Sequence, residues 1–142
     1  MAGPYSQYNT DQTLELDGVW LNYGDFRVRV ARAGGANQKY QAELAAAMRP
    51  YRRQVNSGNM DESVARRILL EVFCRTVILD WDSEEFGAGK IPGPEGEPLP
   101  FNQHNVQQVM TDLPDLFDDL RQASQEVANF RAEEIEDEVG KS

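Results

Sequence analysis

Two spacings of apolar residues divide the chain. From Phe26 to Arg32 they recur every second position: Phe26, Val28 and Val30 fall on one side of an extended strand, and Arg27, Arg29 and Ala31 on the other. Gly18-Val19-Trp20-Leu21-Asn22 is a second extended run. Tyr23-Gly24-Asp25 between the two suits a tight turn, because Gly24 tolerates positive φ. The pattern predicts a β-hairpin with one buried and one basic face, and Leu14 and Leu16 extend it by a short third strand. After Gly34-Gly35 the spacing changes to three and four. Asn37 caps a helix carrying Tyr40, Leu44, Met48 and Tyr51, which Pro50 kinks or ends near Arg49. Asn56-Ser57-Gly58-Asn59 reads as a loop. Asp61 caps a second helix whose buried face is Val64, Ile68, Val72 and Val77, widened by Leu69, Phe73 and Leu79.

The stretch 82–103 breaks both patterns. It holds Pro92, Pro94, Pro98 and Pro100 with Gly87, Gly89, Gly93 and Gly96, and it is expected to be a long mobile loop pinned at its far end by Leu99 and Phe101. Asn102 then caps a helix with Val106, Val109, Met110 and Leu113, and Pro114 opens the last one. Leu113, Leu116, Leu120, Ala123, Val127 and Phe130 form an apolar seam, broadened by Phe117. The expected organisation is a flexible arm over 1–12 and a single domain over 13–138, with the amphipathic acidic helix at 113–138 and a tail at 139–142. The fold class is α+β, mostly α: an N-terminal β-hairpin, about four helices, and a long Gly/Pro-rich loop before the C-terminal helices.

Charge sharpens the picture. The net charge of −10 is unevenly placed: 1–26 has four acids and no base, 27–75 ten bases against four acids, and 76–142 four bases against sixteen acids. Two readings stay open, a basic middle neutralised within the fold and a dipolar surface for head-to-tail self-association or a basic partner. An acidic C-terminal half argues against nucleic acid and anionic membranes as partners. No apolar run approaches the about 18 residues that a membrane span needs, and the N-terminal residues lack a signal pattern, so a cytosolic protein is expected.

Candidate chemistry is sparse. Cys74 is the sole cysteine and His104 the sole histidine, which excludes an internal disulfide and a Cys/His zinc site. Cys74 reads as a small core residue and His104 as a surface residue. Asp115, Asp118 and Asp119 form an acidic helical arc without calcium-loop spacing, so it reads as a solvated face. Gly140-Lys141-Ser142 and Gly89-Lys90 each lack the upstream glycine of a phosphate loop. The expectation is no enzyme, no catalytic residue, no cofactor and no metal.

Several segments together resemble the tail assembly chaperones of long-tailed bacteriophages and prophages. They are Gly18-Val19-Trp20-Leu21, Tyr23-Gly24-Asp25-Phe26-Arg27, Ala31-Arg32-Ala33-Gly34-Gly35, Pro50-Tyr51-Arg52-Arg53, Leu99-Pro100-Phe101 and Thr111-Asp112-Leu113-Pro114-Asp115-Leu116-Phe117. The likeness spans roughly 14–132. It implies an assembly factor in the host cytoplasm that binds the tape-measure protein, recruits tail-tube subunits and leaves before the virion is complete. The alternatives are a structural tail or head–tail connection protein that stays in the particle, and an acidic inhibitor of a host protein. The expected protein-binding residues are those of the seam, Leu116, Phe117, Leu120, Val127 and Phe130; packing on the chain's own core is the other reading, favoured for Leu116 and Leu120, while Phe130 is the expected anchor for another chain and self-association a further role.

Overall fold

Three consecutive antiparallel strands and a helical layer share one core. The computed structural model of the chain describes residues 3–131. In chain order the elements are α1 (Pro4–Tyr8), α2 (Gln12–Asp17), β1 (Val19–Asn22), β2 (Phe26–Val30), α3 (Gln38–Met48), a 3-10 turn (Arg49–Tyr51) and α4 (Arg52–Ser57). There follow α5 (Glu62–Thr76), β3 (Ile78–Ser83), β4 (Gly87–Ala88), β5 (Lys90–Pro92), β6 (Pro98–Pro100), α6 (Gln103–Asp112), α7 (Pro114–Gln125) and a closing 3-10 turn (Val127–Phe130). The fold is α+β with the expected N-terminal hairpin.

The first sheet has the order β1-β2-β3-β4, all antiparallel. Val19, Val28, Val30, Ile78 and Trp81 are buried beneath it, against Phe73, Val106, Met110, Phe117 and Leu120 of the helices. The opposite face pairs charges across strands. Arg27 lies opposite Asp82 and donates to both its carboxylate oxygens, and Arg29 lies opposite Asp80. Arg27 also sits 4.4 Å above the Trp20 ring. The basic hairpin face is therefore matched by acids from β3.

Strand β3 is a departure from the sequence reading, which continued the second helix through Val77 and Leu79. The helix stops at Thr76. A register shift opposite Arg29 and Val30 leaves Leu79 as the unpaired residue of a bulge, so Ile78 and Trp81 reach the core three positions apart. That spacing looks helical. Beyond it, 82–103 is an ordered edge of the fold and not a mobile loop. β5 pairs with β6, Ile91 is buried, the Trp81 indole N–H donates to the Leu99 carbonyl, and the Ser83 hydroxyl donates to the Lys90 carbonyl. The prolines sit at strand ends and on a two-stranded unit where no further ladder bond is needed.

Leu14 and Leu16 lie on a helix and not on a third strand. The Asp11 carboxylate accepts from the Thr13 and Leu14 amides and caps α2. This capped turn points Glu15 inward, where it is 2% exposed and accepts from the Arg32 guanidinium and the Ala36 amide. Gly18, at φ 90°, then lets the chain pass so close that a Cβ would meet the Val30 carbonyl at 2.9 Å.

The expected long helix of 113–138 ends at Gln125. The Asn129 amide donates back to the Ala123 carbonyl and turns the chain, and the Phe130 carbonyl accepts from the Asp11 amide. Arg131 donates to the Gln7 carbonyl. The N-terminal segment, expected as a flexible arm, is thus α1 and the start of α2 laid beside Phe130, which is 0% exposed. Glu133, Glu134, Glu136, Asp137, Glu138 and the 139–142 tail lie outside the described residues.

These contacts lead to two expectations for stability. Glu15→Ala strands the part-buried Arg32 charge and should cost about 3 kcal/mol in urea unfolding, with Glu15→Gln losing less because the Ala36 bond can persist. Phe130→Ala should cost about 3–5 kcal/mol by the same measurement, the range for emptying a filled aromatic site.

Candidate functional site

The helical seam is mainly core. Phe117 meets Phe73 edge to face with ring centres 5.4 Å apart, and both Phe117 and Leu120 are fully buried. Phe130 is buried as described, and Val127 is half-buried in the closing turn. Four of the five expected binding residues therefore form no exposed helical stripe, because α7 ends at Gln125 and its apolar side is buried in the core beside Phe73 of α5. Leu116 is the exception. It lies on the wall of an open groove.

That groove has a volume of about 390 Å³. Its walls are Phe26 from β2, Ile91 and Leu99 from the β5–β6 hairpin, and Val109, Leu113 and Leu116 from the α6–α7 corner. Pro92 and Pro94 add further carbon surface. Leu113 ends α6 and precedes Pro114, so the helix breaks there and its side chain stays 51% exposed. Among the described residues Asp25 and Asp112 are the only charged side chains on the lining, and both are acidic. Asp115 stands exposed one turn further along.

The groove is held by a bond across the molecule. Tyr23 stacks on Phe26 with centroids 5.0 Å apart, and its hydroxyl donates to Asp119 of α7. Burial, helped by that bond and by the Asp119 charge, raises the Tyr23 phenol well above its ordinary value. The wall formed by Phe26 is thereby fixed to the helix that carries Leu116. Asp119 and Asp118 are accordingly engaged, since Asp118 accepts from Arg66 and lies near Arg121; the arc read as a solvated face is partly structural.

The remaining candidates sit apart from the groove. His104 is exposed in the first turn of α6. Cys74 is buried within α5, and burial pushes its thiol up to about 12. Among the described residues no three His, Cys, Asp or Glu side chains cluster as a metal site. No described helix is long and apolar enough to cross a membrane.

Sequence reading placed Leu113 in the seam but missed Phe26, Ile91 and Leu99 as lining residues of a groove. The signal for two of them was present: Ile91 and Leu99 are isolated apolar residues within a Pro/Gly-rich stretch, where a solvated loop has no use for them.

The described residues thus form an α+β domain with an apolar, acid-rimmed groove at the α6–α7 corner. The family described as YdaY prophage protein matches residues 35–141, and the chain belongs to it. It is a phage or prophage protein. No curated protein and no solved structure matches the chain.

The buried thiol gives a direct check. Cys74 should resist a disulfide reagent at pH 8 in the folded protein and react at once in urea. Because folding favours the neutral thiol, its contribution to stability should fall as pH rises from the ordinary thiol value toward 12, measured as a decreasing urea midpoint.

Proposed function

We propose that the chain is a phage tail assembly chaperone that holds apolar surface of the tape-measure protein and recruits tail-tube subunits to it. It acts without catalysis, in the host cytoplasm, and leaves before the particle is finished. The observation that carries this reading is the exposed apolar groove at the α6–α7 corner of a prophage-family protein. A chaperone for a helical client needs carbon surface open to solvent, and a groove accepts the apolar stripe of an amphipathic helix. The carboxylates on its lining keep that surface soluble and favour clients with basic flanks.

A second feature supports the same face. Three of the segments that resemble tail chaperones converge on it. Tyr23–Arg27 supplies Asp25 and Phe26, Leu99–Phe101 supplies Leu99, and Thr111–Phe117 supplies Asp112, Leu113 and Leu116. On this reading the client surface is a face made by both ends of the domain, in place of the seam ending at Phe130.

The test is co-purification of the full chain with the tape-measure and tail-tube proteins encoded beside it. Leu113→Glu should leave the melting temperature nearly unchanged, since the side chain is half exposed, yet cut recovery of the tape-measure protein at least about tenfold. Mass spectrometry of purified virions should find the chain absent or scarce. Stoichiometric retention would favour a structural tail or head–tail component instead.

A further inference from the structure

We infer that the groove also receives a second copy of this chain, through the basic corner formed by the Arg49–Tyr51 turn and α4. Pro50 ends α3 and throws this corner outward, where α4 packs chiefly on the turn that precedes it. Arg49, Arg52 and Arg53 are exposed there, and among the described residues none of their guanidinium groups has a carboxylate or hydrogen-bond partner. Beside them Val55 is 45% exposed and Tyr51 is half-buried. The corner is an apolar knob ringed by three unpaired cations.

The groove is its complement. Its walls are mostly carbon, its lining among the described residues carries Asp25 and Asp112 and no base, and the exposed Asp115 follows three positions after Asp112. Corner and groove share no residue, so the corner of one copy can fill the groove of the next in a heterologous contact. The same carboxylates repel an acidic occupant. Guanidinium forks suit them well, because each can meet a carboxylate with two parallel bonds. Second-copy docking is favoured over an unrelated segment because both halves, with opposite charge and matching apolar content, stand in one sequence.

The consequence rests on the client reading of the groove. A copy seated in the groove excludes the client, so self-association masks the apolar surface until the tape-measure protein displaces it. The contact itself needs no client and is tested without one.

Sedimentation velocity of the full chain, from micromolar to several hundred micromolar, is the measurement. Reversible association is expected at low salt, weakened at least about tenfold at high salt. Arg52→Glu with Arg53→Glu should give a monomer, and so should Asp25→Arg with Asp112→Arg. All four positions are exposed, and acids at the start of α4 and a base at the end of α6 agree with the helix dipoles, so circular dichroism should stay unchanged. Mixed together, the two monomeric variants should associate, because each supplies the half that the other lacks. A chain that stays monomeric throughout at low salt overturns the inference. So does an oligomer indifferent to either reversal, or a mixture of folded variants that fails to associate. If the chain associates as described but captures no tape-measure protein, the functional reading fails and this contact stands. If the chain is monomeric throughout yet captures the tape-measure protein, this contact fails and the functional reading stands.

Discussion

The pairing of β2 with β3 is the constraint on which the rest of the structure depends. It joins residues some fifty positions apart: Val28 lies opposite Trp81, and Arg27 opposite Asp82. Closing so long a loop costs conformational entropy, and Trp81 is the side chain that offsets it. It is fully buried under the sheet, its ring meets Phe101 edge to face at 5.3 Å, and its indole N–H satisfies the Leu99 carbonyl. One residue thereby fixes the hairpin on the helical layer and the β5–β6 hairpin on the sheet. Both sides of the groove are set by it, since Phe26 arrives with β2 and Leu99 with β6.

The C-terminal half shows how a short helix alters a functional reading. An uninterrupted helix from Pro114 onward would have carried Phe130 past the end of the core into solvent. The chain instead folds back through Asn129, and α1 and α2 lie beside the aromatic ring. The N-terminal residues gain order from the same contact that buries Phe130. Apolar surface that could have served a partner is consumed internally, and the open surface shifts to the corner where Pro114 forces a break. Leu113 is exposed for that reason alone.

Charge follows the same division between paired and unpaired groups. Arg27, Arg32, Arg66 and Arg75 all find carboxylates within the fold, so much of the basic middle is neutralised at home. Among the described residues that have no ion pair, Arg49, Arg52 and Arg53 share one exposed corner, while Asp25 and Asp112 line the groove with Asp115 close in sequence. Paired surface charges contribute little to stability, whereas concentrated unpaired ones shape association. The reading of a basic middle neutralised within the fold holds for Arg27, Arg32, Arg66 and Arg75.

By itself the sequence determined what depends on near neighbours. The Phe26–Val30 alternation, the Gly24 turn, the caps at Asn37, Asp61 and Asn102, and the break at Pro50 are all decided within a few residues, where local sterics and capping bonds act. The resemblance segments likewise pointed to a phage protein, which family membership supports. Three features were decided only by tertiary structure. The bulge at Leu79 hid a strand inside a helical spacing, because period two is lost when one residue goes unpaired. The Gly/Pro stretch became ordered because Trp81, from outside it, and Ser83, at its start on β3, donate to its carbonyl groups. The groove exists because Phe26, Leu99 and Leu113, far apart in the chain, meet around one opening. No local pattern encodes such a meeting, since it arises from long-range pairing and from which apolar side chains the core leaves uncovered.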